Sequence, residues 1–333
     1  QGRVTNSFVE FDVITEPPSL LNPVSFSRFR TDASLRIKLT ETGAPGTMLL
    51  TLTTAGQVGG KNAIPDLTAR RYIRFSDAVH IEGTHTVNMT FLENLIAAST
   101  DVVSVSPSKN LVHDNIYLIT LEYQDKLLND IASVSTFNII YDTFTEPALF
   151  RKPTENFPIR VDFGIEFELT ENAELGTLKM VFIPTSRGAT DGNKSRILTF
   201  SSAFETVGTH TIASMSHLSL AASKYGEIQS SVPDIDLVHG AVYDVKLTYI
   251  DLAGNVEYNT VHENITFDTF TETPLFYRPA TNEYLSENFT VNFTLTEKAK
   301  DGTVKLIVRP LTPGILDGAG IRTILFSPST SNP

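Results

Sequence analysis

The stretch FTVNFTLTE, Phe289 to Glu297, places an apolar side chain at every second residue. Phe289, Val291, Phe293 and Leu295 fall on one side and Thr290, Asn292 and Thr294 on the other, which is the period of a strand with one face against a core. The tripeptide that closes it, LTE, also stands at Leu39 to Glu41 and at Leu169 to Glu171, so the copies lie 130 and 126 residues apart. A Gly-Thr pair follows each copy, opening GTMLLTL at Gly46, GTLKMVF at Gly176 and GTVKLIV at Gly302. Phe75, Phe200 and Phe326 close a later strand at nearly the same spacing. A fixed period of this length marks a chain of repeated structural units.

Working outward, GTHT starts at Gly83 and Gly208, and LVH at Leu111 and Leu237 leads into IYLITLEYQDKLLN and VYDVKLTYIDLAGN. The third copy stops before either. A heptapeptide marks the joins: FDVITEP from Phe11, YDTFTEP from Tyr141 and FDTFTET from Phe267. Repeat 2 reads as seven strands: A near Leu149, B from Arg160 to Thr170, C from Thr177 to Thr185, D from Arg196 to Ser201, E from Thr209 to Ser216, F from Ala241 to Asp251 and G from Asn264 to Thr269. That is the strand count of an immunoglobulin-like sandwich. The expected fold is therefore all-β, tandem Ig-like sandwiches of about 126–130 residues with the last repeat incomplete. The boundaries are 1–13 for an orphan G-like strand, 14–143 for repeat 1, 144–269 for repeat 2 and 270–333 for a partial repeat 3 with strands A to D. The long E-to-F connection leaves room for a short helix in FLENLIAAS and in SHLSLAASKYG.

Composition fits this reading. The 333 residues are 41% hydrophobic, enough for a core in each repeat, and only 19% charged. A net charge of -12 argues against nucleic acid as a partner and for cations. With no cysteine there is neither a disulfide frame nor a thiolate metal site. No segment approaches a membrane span, and QGRVTNSF lacks the apolar region of a signal peptide, as in a mature secreted form or a piece of a longer chain.

Tyr249, Asp251, Gly254 and Asn255 in TYIDLAGN, followed by a strand ending FDTFTETP, resemble the tandem Ig-like repeats of bacterial-type surface adhesins and extracellular filament proteins. The resemblance covers nearly the whole chain as a repeat pattern. It implies an extracellular or cell-surface, non-catalytic module in a series, stiffened in some members by calcium at the junctions. Repeat 1 departs from it, with YQDKLLN in place of YIDLAGN, so its F-to-G turn lacks the glycine.

In such a sandwich the B-to-C, D-to-E and F-to-G loops gather at the pole where strand A enters. This brings together Asp142, Glu146, Glu171, Asp251 and Asn255 in repeat 2, and Asp12, Glu16, Glu41, Asp125 and Asn129 in repeat 1. Oxygen donors in this number suit a hard cation such as calcium. The competing reading is that the Asp and Asn cap turns and the Glu face water. No cofactor is required in either.

Seven histidines raise a zinc reading, but His85 shares strand parity with Val87 and Met89 and reads as half-buried and hydrogen-bonded. AGQVGGKN from Ala55 misses the first glycine and the Ser/Thr of a phosphate loop. No constellation for catalysis stands out, so the chain is read as not an enzyme. Asn-x-Ser/Thr sequons occur at Asn88, Asn193, Asn264, Asn288 and Asn292; the first and the last three have outward strand parity, and in a eukaryotic source all would carry N-glycans.

The first functional reading is a structural subunit of an extracellular fibre. Copies of the chain polymerise head to tail as a linear or helical homopolymer, with Val9 and Phe11 entering a neighbour's core by β-strand complementation. The second is an adhesin stalk or ligand-binding segment of a longer surface protein, although the chain has no tryptophan for stacking on sugars.

Overall fold

The computed structural model describes residues 11–58, 64–88, 100–192, 194–216, 218, 221–310 and 320–327. Repeat 1 contains β1 (Ser19–Asn22), β2 (Arg28–Phe29), β3 (Ser34–Leu39), β4 (Leu49–Gln57), β5 (Arg70–Phe75), β6 (Gly83–Asn88), β7 (Val102–Ser106), β8 (Asn115–Tyr123) and β9 (Ala132–Tyr141). They form two sheets, β1-β3-β6 and β2-β9-β8-β4-β5-β7. All pairings are antiparallel except β2 with β9. Alternation sets the inward face: Leu35, Ile37 and Leu39 are buried while Arg36 and Lys38 are exposed. Leu35 and Ile37 from one sheet join Leu50, Leu52, Ile73, Ile119 and Leu121 from the other in a single core. Each such side chain contributes about 1.5–3 kcal/mol on burial.

Repeat 2 follows the same plan with β10 (Leu149–Lys152), β11 (Phe163–Leu169), β12 (Lys179–Gly188), β13 (Arg196–Phe200), β14 (Gly208–Met215), the helical turn α1 (Ala221–Lys224), β15 (Ile228–Val232), β16 (Ala241–Tyr249) and β17 (Tyr258–Thr266). Its sheets are β10-β11-β14 and β15-β13-β12-β16-β17. Ile159, 130 residues after Phe29, donates its N–H to the Thr266 carbonyl at 2.8 Å, taking the place of β2. Both repeats are thus Ig-like sandwiches with strands A, B and E facing a sheet built on C, F and G. Near the start of F, Tyr117 and Tyr243 each accept a hydrogen bond at 2.9 Å from an N–H five residues upstream, that of Val112 and Val238, as the tyrosine corner of this architecture does.

Two features add to the expected strands, and the bounds of strand G change. The strand expected as D, β5 and β13, pairs with C in the larger sheet, since Leu50 lies opposite Ile73 and Met180 opposite Leu198. The long E-to-F connection supplies a further strand, β7 or β15, that extends the same sheet beyond it. Strand G begins at Tyr258, because the turn after F is tight enough to set Tyr249 opposite Tyr258, and it ends at Thr266. Of the two expected helices, SHLSLAASKYG forms α1, and FLENLIAAS lies outside the described residues.

Residues from Phe267 onward form a second compact unit with β18 (Leu275–Arg278), β19 (Asn292–Thr294), β20 (Lys305–Val308) and β21 (Arg322–Leu325), paired as β18-β19 and β20-β21. Strand B is short here, so FTVNFTLTE is strand only at Asn292–Thr294. Among the described residues no strand pairs with β19 on the side that β6 and β14 occupy in the other repeats.

The missing glycine of repeat 1 leaves a mark. Leu128 adopts φ 59°, where Gly254, 126 residues later, has φ 73°. Both donate their N–H at 3.1 Å to the aspartate three residues before, so the turn is kept and the side chain bears the cost of the left-handed backbone. Leu128→Gly should raise stability by about 1 kcal/mol, read as a higher denaturation midpoint at unchanged slope.

Candidate functional site

The heptapeptide YDTFTEP closes repeat 1 and opens repeat 2, and each polar residue in it has a partner. The Asp142 N–H donates to the Phe29 carbonyl at 3.0 Å, which fixes the exit of strand G. The Glu146 N–H donates to Glu171 Oε1 at 2.5 Å, and its carbonyl accepts the Tyr249 hydroxyl. The Thr145 hydroxyl donates to Asp251 Oδ2 at 3.3 Å. From the F-to-G turn, the Asn255 side-chain amide donates to Asp142 Oδ1 at 3.0 Å and to Asp251 Oδ2 at 2.8 Å, while its backbone N–H donates to Asp251 Oδ1 at 3.0 Å. The expected set of Asp142, Glu146, Glu171, Asp251 and Asn255 therefore meets in one place, and all five are buried. One oxygen each of Asp142, Glu171 and Asp251 lie within 4.8 Å of one another.

The same network recurs in repeat 1. The Glu16 N–H donates to Glu41 Oε1 at 2.5 Å, and the Tyr123 hydroxyl donates to the Glu16 carbonyl at 2.7 Å. Asp125 Oδ1 and Oδ2 accept from the Asn129 backbone and side-chain amides at 3.0 and 2.6 Å. Asp12, Glu41 and Asp125 also bring ligand atoms within 4.8 Å, though Asp12 is exposed. In the last unit the Glu272 N–H donates to Glu297 Oε1 at 2.9 Å.

Sequence reading missed the cations at the junction. Arg28 Nη1 lies 2.5 Å from Asp142 Oδ2, 3.6 Å from Glu171 Oε2 and 4.0 Å from Asp114 Oδ1. Arg30 donates to the Gly254 carbonyl and is braced by Asp32 at 2.6 and 2.8 Å. His113, Asp114 and Glu146 form a third group within 4.8 Å. The Thr143 N–H donates to His113 Nδ1 at 3.0 Å, so the ring proton sits on Nε2 and points at Glu146 Oε1, 3.3 Å away. That tautomer leaves the imidazole no lone pair for a metal. The fitting donor set is oxygen alone, which is calcium chemistry rather than zinc.

His85 is half-buried and lies 2.6 Å from the Ile81 carbonyl. Of the sequon residues, Asn88 and Asn292 are exposed at strand ends. Asn264 is half-buried at φ 58°, its amide donating to Asn156 Oδ1 at 3.0 Å, so it sits at a bulge rather than with plain outward parity. Asn288 lies in a bend ahead of β19 and not on a strand. Asn193 and Val9 lie outside the described residues, and Phe11 is 89% exposed.

A second buried ionic group was also missed. Arg71 pairs with Asp66 at 2.8 Å and Arg196 with Asp191, and the hydroxyls of Tyr117 and Tyr243 donate to the same carboxylates. Both arginines are 1% exposed. Burial pushes Asp66 up, but the bonds from Arg71 and Tyr117 outweigh it and hold the carboxyl below its usual range. Burial, reinforced by the adjoining carboxylate, pushes both tyrosines up. The signal was legible: Arg71 and Arg196 have the inward parity of Ile73 and Leu198.

No family model and no curated protein matches the chain. Among solved structures it is similar to a fragment of the ICAM-5 ectodomain, domains D1 to D4, at TM-score 0.31 and 10% identity over 93% of this chain and 75% of that one. It is also similar to a chimeric titin Z1Z2 tandem carrying a peptide from fibronectin, at TM-score 0.18 and 9% identity over 77% and 100%. The fold assignment rests on the strand order given above.

The buried acids of the junction should make its stability depend on pH. Burial pushes Glu171 up to about 8, with Asp142 and Asp251 adding to the rise, and burial followed by Asp251 raises Asp142. Both acids hold protons when folded at a pH where the unfolded chain has released them. The Glu171 contribution is therefore full below about pH 4.5 and lost as pH rises through about 8, and that of Asp142 is lost in the same direction. Denaturant titrations in chelator should show stability falling across that window, and Glu171→Gln should flatten the slope.

Proposed function

We propose that the chain is a non-catalytic structural segment of an extracellular tandem array whose junctions are set by buried acid clusters. One observation carries the reading: residues of both repeats and of the linker between them share the hydrogen-bond and ion-pair network around Asp142, Glu171 and Asp251. A ligand-binding protein needs a cleft, whereas a spacer needs fixed angles between its units, and polar groups of this chain are spent on an angle. Among the described residues no helix is long and apolar enough to cross a membrane.

Calcium is the dissolved cation we assign to the acid set of repeat 1, Asp12, Glu41 and Asp125, supported by Glu16 and Asn129. Sites with partly exposed ligands bind in the range of roughly 0.1–1 mM typical of extracellular modules, which suits a chain outside the cell. Calcium at tenfold over its dissociation constant should stabilise repeat 1 by about 1.4 kcal/mol, and Asp125→Asn should abolish that gain in melting curves. Melting that is indifferent to calcium would remove the cation from the proposal.

A second reading, polymerisation of copies head to tail by strand complementation, is favoured by the last unit. Ile324 is 47% and Phe276 50% exposed, where their counterparts Leu198 and Phe150 are 0% and 6%. A strand from another copy would cover them, and the segment around Val9 and Phe11 has the register of strand G. Electron microscopy separates the two: uniform fibres that vanish on deletion of residues 1–13 support polymerisation, and monodisperse rods in the full chain overturn it in favour of an adhesin stalk. N-glycans on the sequon asparagines would be compatible with both.

A further inference from the structure

We propose that Arg28 is a tethered counter-cation, holding the junction of the first two repeats in place of a dissolved ion, so that this junction keeps its angle without calcium. The inference rests on the reading of the acid sets as cation sites. Asp142, Glu171 and Asp251 are buried together, and a carboxylate removed from water either finds opposite charge nearby or takes up a proton. The guanidinium of Arg28 is that charge. It bonds Asp142 Oδ2 at 2.5 Å and faces Glu171 Oε2 at 3.6 Å, with its side chain only 16% exposed.

The remaining oxygens are already served. Asp142 Oδ1 and both oxygens of Asp251 accept from Asn255, and Glu171 Oε1 accepts from Glu146. The same donors serve the acids of repeat 1, so what sets this junction apart is the guanidinium, which a calcium ion entering here would have to displace. Arg28 is also positioned before any ligand arrives. It lies on β2, which pairs with β9, and the Asp142 N–H bonds the carbonyl of the next residue, Phe29, at 3.0 Å. Arg30 then adds a second grip on the Gly254 carbonyl of the F-to-G turn. Because the cation belongs to the chain, its occupancy does not follow the concentration of anything in solution.

One comparison within the chain bears on the role: 130 residues after Arg28 the chain has Pro158, so repeat 2 does not carry the same prong, although Arg160 and Asp162 repeat Arg30 and Asp32.

The chain has no cysteine, so Ser133→Cys and Asn259→Cys, at exposed positions of β9 and β17, take a pair of spin labels in the full chain. The distance distribution between them reads the junction. With Arg28 present it should be equally narrow in calcium and in chelator. Arg28→Met should lose the narrow peak in chelator and regain it in calcium, and Arg28→Lys, which keeps the charge, should behave as the parent. A parent distribution that broadens in chelator would show that calcium already holds the junction. An Arg28→Met chain that stays narrow in chelator, or one that calcium does not restore, would equally overturn the assignment. Loss of calcium stabilisation of repeat 1 is a separate readout, so failure of the wider calcium reading is told apart from failure of this one.

Discussion

Three carboxylates packed into one junction constrain the chain around them more than any apolar contact does. Asp142 leaves strand G, Glu171 ends strand B and Asp251 ends strand F, so the group exists only if all three strands stop at the same level. Each carboxylate then needs donors, and the donors come from a linker in one conformation. This explains why a short polar sequence is written again at each join. In YDTFTEP the aspartate meets Asn255, the threonine meets Asp251, the glutamate amide meets Glu171, and the proline that follows cannot offer an N–H that would compete.

The sandwiches themselves manage without the usual covalent and aromatic pins of their architecture, having neither cysteine nor tryptophan. In each, a buried arginine takes over the far end of the larger sheet. Arg71 also donates to the carbonyls of Lys109 and Asn110, at 2.7 and 2.5 Å, and Arg196 to that of Asp236 at 2.8 Å. The carboxylate that neutralises it comes from the loop five residues earlier, and the tyrosine of strand F bonds the same carboxylate. One ionic group thus ties strands D and F of the sandwich to the segment that leads into F. A lone charge at that depth would be severely unfavourable, whereas the complete triad is neutral and bonded, with only Arg196 Nε left without a partner in repeat 2.

How far the sequence speaks depends on the range of the interaction. Period-two alternation is local, and it locates strands such as Phe163–Leu169 to within a few residues. The acid sets follow from alternation plus topology, because strands of known order put their ends at known poles. The sheet to which Arg196–Phe200 belongs is not local. It depends on whether the loop from Thr185 to Lys194 turns back along β12 or crosses to the other sheet, and alternation is the same in both cases. Arg28 was illegible for a different reason. It has no counterpart in the other repeats, so a search for what recurs passes over it. The one feature that distinguishes this junction is the one that does not repeat.

That asymmetry has a physical use. The entry pole of each complete repeat presents nearly the same acids, so what separates one junction from the next is what the preceding repeat contributes. Where it contributes a guanidinium, the charge is neutralised within the chain. Where it contributes none, a buried acid has two ways left to shed its charge, taking up a proton or recruiting a cation from solution. With Arg28 as the counter-cation proposed above, a single arginine in the A-to-B segment would separate two mechanical behaviours without altering a core residue, a strand or the linker, and the acids would not need to vary at all.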